Sequence, residues 1–146
     1  MKRTFSTAAM LLLCMGLLFS TASALDDGQI ERIDYEDGSY AIISTVCASR
    51  TRSQFDSSKD YTYYNSDNQK CFSYTLYASF TYDGVTSSAV SCYCDAVIYC
   101  RGWTGDSHSE WTSGNTAYGR AVFSGPNGLS VPVNLTLTCD KDGNVK

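Results

Sequence analysis

One stretch of the chain gathers most of the groups that could do acid–base or nucleophilic chemistry: Gly102-Trp103-Thr104-Gly105-Asp106-Ser107-His108-Ser109-Glu110-Trp111. It holds the single histidine, two carboxylates and both tryptophans, with a serine on each side of the imidazole. A nucleophilic hydroxyl needs an imidazole to take its proton and a carboxylate to orient that imidazole. In an extended strand His108 and Glu110 share a face, while Ser107 and Ser109 point the other way. The constellation therefore does not assemble from its own spacing. The stretch reads as a strand or solvated connection with one or two packed tryptophans, and no catalytic residue is assigned. A small hydrolase using His108 and Glu110 is the alternative function.

Cysteine is the other reactive side chain. Setting aside Cys14, six remain: Cys47, Cys71, Cys92, Cys94, Cys100 and Cys139. An even number in an exported chain points to three disulfides. Zinc would want two close Cys pairs or Cys with His, and the chain has one His and no C-x-x-C. Cys92 and Cys94 cannot bridge each other: residues i and i+2 of a strand hold their Cβ atoms ~6.5–7 Å apart, whereas a disulfide needs roughly 4 Å. Cys139 ends an apolar face, and one of Cys92 and Cys94 is its expected partner.

Other motifs carry less. Asp140-Lys141-Asp142-Gly143-Asn144 has the opening of a calcium loop without the closing Glu of a twelve-residue EF-hand, and it reads as a polar turn. Asn134-Leu135-Thr136 matches a glycosylation sequon. No cofactor motif and no metal-ligand set is present in the sequence. Eleven tyrosines are the compositional oddity. Tyr61, Tyr63, Tyr64, Tyr77, Tyr93, Tyr99 and Tyr118 could furnish an aromatic platform for a glycan or a protein surface, although Tyr also packs half-buried on sheets. Tyr77 stands out because its neighbours on that face are small and polar; Trp103 and Trp111 complete the set of binding candidates.

The elements that must position these groups follow an export signal. Met1-Lys2-Arg3, an apolar run over 8–19 and Thr21-Ala22-Ser23-Ala24 make a cleavable signal peptide over 1–24, with Leu25 as the expected mature N-terminus. Its apolar run is shorter than the ~20 residues of a membrane span. Cys14 follows Leu13 inside that run, which does not fit a lipid anchor. Cleavage takes two of the 11 basic residues and none of the 15 acidic ones, so the formal charge of −4 becomes −6. That balance argues against nucleic acid and anionic membrane as partners.

Residues 25–38 are acidic and form a leader or an edge segment. A single domain over 39–146 follows. Its first strand covers 39–46, and the polar residues 48–60 read as a long loop. Strand character resumes at 61–64, before turn chemistry at 65–68. Over 71–82 the even positions Phe72, Tyr74, Leu76, Ala78, Phe80 and Tyr82 alternate with a more polar set, the mark of a strand with one buried face. Asp83-Gly84 marks a hairpin. The return strand, over 86–99, places Val90, Cys92, Cys94, Ala96 and Ile98 on one face. A two-residue loop would set even residues opposite odd ones, so a three-residue loop over 83–85 or a bulge is required.

Residues 101–115 form a connection with a short strand near 107–111. Ala117, Gly119, Ala121 and Phe123 share one side of the next strand. In the last, Leu129, Val131, Val133, Leu135, Leu137 and Cys139 share a face, and Pro132 marks it as lying at an edge. Six or seven strands without a helical period predict an all-β fold: a small antiparallel two-sheet sandwich, immunoglobulin-like in outline and disulfide-braced.

Several stretches together resemble a family of short secreted proteins of unknown function from clostridial-type Gram-positive bacteria. They are Asp37-Gly38-Ser39-Tyr40, Tyr61-Thr62-Tyr63-Tyr64-Asn65-Ser66-Asp67, Phe80-Thr81-Tyr82-Asp83-Gly84, Ile98-Tyr99 with Trp103, Ser113-Gly114-Asn115-Thr116-Ala117, and the ending 135–144. The resemblance implies a bacterial source and an extracellular β-domain, and it implies no activity. The family pattern has Ser/Lys-rich residues at 107–111, which sets His108 apart from a family-wide catalytic role. The reading adopted is a non-enzymatic binding module acting at the cell envelope or on a host or community surface. An antimicrobial or toxin-like effector would rest on size, export and disulfides alone.

Overall fold

The computed structural model describes residues 28–47 and 53–146; the expected signal peptide over 1–24, the expected mature N-terminus Leu25 and part of the expected 48–60 loop lie outside them. Among the described residues the chain forms two antiparallel sheets that pack as a small all-β sandwich. The larger sheet runs in chain order through β1 (Ile30–Asp34), β2 (Tyr40–Cys47), β3 (Gln54–Tyr64), β4 (Lys70–Tyr82) and β5 (Ser87–Ile98). The smaller contains β6 (Thr104–Ser113), β7 (Thr116–Ser124) and β8 (Ser130–Thr138). Every paired neighbour is sequential, so both sheets are meanders; an immunoglobulin domain would instead cross between sheets.

The alternation over 71–82 has the expected outcome. Phe72, Tyr74, Leu76, Ala78 and Phe80 are buried and face Ala117, Ala121, Phe123, Val131, Val133, Leu135 and Leu137 of the small sheet in one core. At its centre Phe72 stacks on Phe123, with ring centroids 4.0 Å apart. β8 is an edge strand, and Pro132 sits opposite Val122 of β7, so its missing N–H faces away from the ladder.

Four expectations change. Residues 30–34 of the expected leader form the edge strand β1, held because Ile33 packs against the core. The polar stretch 54–60, read as loop, belongs to the eleven-residue β3: Phe55, Ser57, Lys59, Tyr61 and Tyr63 alternate inward, but Ser57 and Lys59 disguise the period. Lys59 is accommodated because its ammonium reaches the Thr136 carbonyl of β8 at 3.2 Å. The 101–115 connection holds a full ten-residue strand, β6, rather than a short one.

The fourth change concerns the hairpin. Tyr82 pairs with Ser87, which leaves a four-residue loop over 83–86 closed by the Asp83 amide on the Thr86 carbonyl. Gly84 takes a φ of +83° there, open to glycine without Cβ strain. The parity correction lies farther on, where the register shifts between Ser79 and Phe80. Val90 is the extra residue and is exposed, while Ala89 turns inward in its place. From there Cys92 faces Ala78 and Cys94 faces Leu76, so the bulge inside β5 returns the even sets to one side.

Candidate functional site

The inner face of the five-stranded sheet is spent on the core, and its outer face is where the chain displays polar and aromatic groups. The register places Val46, Ser58, Tyr77 and Tyr93 in one row across β2 to β5. Beside it run Asp56, Ser79 and Ser91 on one flank and Ser44, Asp60, Thr75 and Asp95 on the other. Two-residue periodicity makes this possible: each strand that buries one set must present the other.

Tyr77 and Tyr93 stack across β4 and β5 with centroids 4.7 Å apart and planes 13° from parallel. Each ring thus has one face taken by the other, and Tyr93 remains 59% exposed. A recess of about 340 Å³ opens beside them, lined by Val46, Asp56, Ser58, Tyr77, Ser79 and Tyr93 among others. Polar groups of the recess and of the sheet beside it are held in place. Ser79 donates to the Asp56 carboxylate at 2.5 Å. Thr62 and Thr75 each donate to Asp60 at 2.6 Å. Asp95, opposite Thr75, is exposed on the edge strand.

The small sheet has a second aromatic pair. Trp111 stacks on Tyr118 at 4.9 Å, and the Arg120 guanidinium lies 5.1 Å from the Trp111 ring centre. Trp103, expected as a binding residue, is in the core instead: it is 8% exposed and packs 5.0 Å from both Tyr63 and Phe72. It follows directly on the corner that carries the chain from one sheet to the other, so its ring is drawn between them. Tyr61 and Tyr63 are likewise buried, Tyr64 stacks on Tyr40 and Tyr99 carries the Lys70 ammonium over its ring at 4.4 Å.

The pleat separates the groups of the His108 stretch as the alternation requires. His108 and Glu110 lie opposite the inward positions Ala121 and Gly119. Ser107 and Ser109 lie opposite the outward Val122 and Arg120. All of β6 is exposed. Asp106 accepts from Thr104 at 2.9 Å and from Ser124, and those bonds keep its carboxyl below the usual range. The Glu110 carboxylate acts electrostatically on Tyr74 and on the β5 thiols Cys92 and Cys94. Burial pushes the Cys94 thiol up, and Glu110 adds to this against a hydrogen bond with Tyr74. Cys92 is raised first by burial as well. Both are thereby kept as thiols, the reverse of what activates a nucleophilic cysteine. Gly119 makes room for Cys94, since a Cβ there would lie 2.6 Å from its sulfur.

The six cysteines are thiols in the structure. Cys139 lies level with Asn115 and Ser87: its amide donates to the Asn115 backbone carbonyl at 3.0 Å, its carbonyl accepts from the Ser87 hydroxyl at 2.7 Å, and its thiol donates to the Asp140 carbonyl. Ser87 is five residues down β5 from Cys92, so the expected partners Cys92 and Cys94 stand along β7 near Tyr118 and Gly119 instead. Asp140 itself caps the final turn, accepting from the amides of Asp142 and Asn144 at 2.9 and 2.8 Å.

Sequence reasoning singled out Tyr77 and Trp111, and both are on outer sheet faces. It missed Asp56 and Ser58 because they fell in the expected loop; the even spacing of Phe55, Tyr61 and Tyr63 was the available signal. No protein-family model, curated protein or solved structure matches the chain.

Proposed function

We propose that this chain is a secreted bacterial binding module, without catalytic activity of its own, that takes a glycan on the outer face of its five-stranded sheet. The observation that carries the reading is the Tyr77–Tyr93 pair beside a recess edged by Asp56, Ser58 and Ser79. A sugar ring offers an apolar C–H face to an aromatic ring and a rim of hydroxyls to carboxylates and serines. A shallow site with an aromatic wall and a few placed polar groups suits that division. Export is supported by the sequence of residues 1–24 and by the clostridial resemblance. No helix among the described residues is long and apolar enough to cross a membrane.

The test is a pull-down of the protein on cell-wall and glycan ligands, followed by titration of the retained glycan. Tyr77→Ala is expected to weaken binding by about 30-fold or more, the scale of a truncated aromatic hot spot. Tyr77→Phe keeps the ring and should stay within a few-fold of the parent. Equal affinity for parent, Tyr77→Ala and Tyr93→Ala, each with an unchanged melting temperature, would sink the assignment.

The hydrolase alternative is tested in the same preparation. His108→Ala combined with Glu110→Gln should leave melting temperature and glycan binding unchanged, because both side chains are exposed on β6, away from the Tyr77 row. Loss of a hydrolytic activity in that double variant, at constant melting temperature, would favour the enzyme.

A further inference from the structure

We propose that Cys71 and Cys100 form a disulfide in the oxidised protein, tying the end of the β4–β5 hairpin to the corner where the chain crosses between sheets. The register brings them together. Phe72 pairs with Ile98, so Cys71 stands at the level of Tyr99. The Cys71 carbonyl accepts both the Tyr99 amide at 2.8 Å and the Cys100 amide at 3.1 Å. That shared acceptor folds residue 100 back alongside residue 71.

On the β3 side, Tyr63 pairs with Phe72 and Tyr64 with Lys70, which makes Cys71 the extra residue of a bulge. A bulge turns its side chain out of strict alternation, and Cys71 is buried. Each thiol donates to a carbonyl where β4 begins, Cys71 to Gln69 at 3.5 Å and Cys100 to Lys70 at 3.3 Å, and the Cys100 side chain is close enough to add to the effect of burial in raising the Cys71 thiol. A disulfide spans Cα atoms roughly 4.4–6.8 Å apart, and the shared carbonyl holds the backbone of Cys100 against that of Cys71, one residue past the position directly opposite it. Cys92 and Cys94 share one strand, and Cys47 lies 3.7 Å from the Ser57 hydroxyl on the β2–β3 pair.

The bond forms by exchange with a small disulfide such as oxidised glutathione. Cys100, the less buried of the two, loses its proton and attacks one sulfur of the donor, releasing one donor thiol and leaving a mixed disulfide. Cys71 then gives up its proton and attacks the Cys100 sulfur. The second donor thiol leaves, so two protein thiols are oxidised and one donor disulfide is reduced. Only the place where the oxidant is met depends on export; the chemistry is testable in a buffer.

The cross-link closes a loop containing the whole hairpin. For about 30 residues, chain entropy predicts a melting temperature roughly 10 °C higher or more in the oxidised form. The experiment is peptide mapping without reduction, after equilibration of the full chain in a glutathione redox buffer. The expected result is a peptide pair joined through Cys71 and Cys100, with both protected from alkylation. Cys71→Ser, Cys100→Ser and the double variant should melt at one common temperature, and reductant should bring the parent down to it. Alkylation of both residues in the oxidised protein, or either one found joined to a different cysteine, overturns the proposal. Mapping of the parent decides the matter even where a variant fails to fold.

Discussion

Phe72→Ala is expected to cost about 3–5 kcal/mol, the usual range for emptying a fully buried aromatic site. Phe72 is 0% exposed and is the ring through which the two sheets meet. It stacks on Phe123 at 4.0 Å, on Tyr63 at 5.2 Å and on Tyr61 at 6.0 Å, and touches Trp103 at 5.0 Å. Truncation removes the transfer energy of the ring and leaves a space that the surrounding side chains cannot fill, since they project from strands locked by their ladders. It also removes ring–ring terms of about 0.5–1.5 kcal/mol each. In a domain of this size the melting temperature should fall by roughly 12–20 °C. Denaturant titration checks it, and Phe72→Leu should recover more than half of the loss. A cost under 1 kcal/mol would mean that the sheets do not meet at this ring.

Alkaline unfolding should be steep, because two tyrosines are buried with their hydroxyls engaged. Tyr61 and Tyr74 are 4% and 1% exposed. Burial raises the pKa of each well above the usual tyrosine range. For Tyr61 the hydrogen bond with Tyr35, 2.7 Å long, adds to this, and for Tyr74 the neighbouring Cys94 side chain does. Tyr74 also donates to the Arg120 carbonyl at 3.1 Å, across the sandwich. The folded state therefore holds these protons while the unfolded chain releases them near pH 10. Stability from this source is complete below pH 10 and is lost as pH rises above it. The slope is about 1.4 kcal/mol per pH unit for each tyrosine, or about 2.7 for both. A domain stable by about 5 kcal/mol would unfold near pH 12. Circular dichroism across pH 8–12.5 tests this. Tyr61→Phe with Tyr74→Phe should shift the midpoint upward. A midpoint that the double substitution leaves unmoved would show that neither hydroxyl governs it.

How far the candidate site was legible differs residue by residue. Tyr77 could be picked out from sequence because period-2 alternation already placed it on the face opposite Phe72 and Leu76. Alternation likewise placed Tyr93 on the face opposite Cys92 and Cys94, but that it stacks on Tyr77 depends on register, and the register here rests on a bulge at Val90 whose position no local residue signals. Asp56 and Ser58 were lost with the misread β3. Ser57 and Lys59 occupy inward positions there, and a polar inward residue is tolerated only where another strand supplies a partner, as Thr136 does for Lys59. Trp103 and Trp111 look alike in sequence, eight residues apart in one polar stretch. The corner at 100–103 drives the first between the sheets, whereas the second falls on the outer side of β6.

The sequence by itself determined the class of fold, because alternation over 71–82, 116–123 and 129–139 with turn residues between admits only strands with one buried face. It also determined that the last strand must lie at an edge, through the missing donor of Pro132. Only the tertiary structure decided what each outer face displays and which thiols meet. Those depend on relations between strands distant in sequence: a bulge that resets parity, a neighbour that accepts an inward lysine, and a shared carbonyl that brings Cys100 back to Cys71. Periodicity is a local property and is written in the residues; register is a property of pairs, and the chain acquires it only on folding.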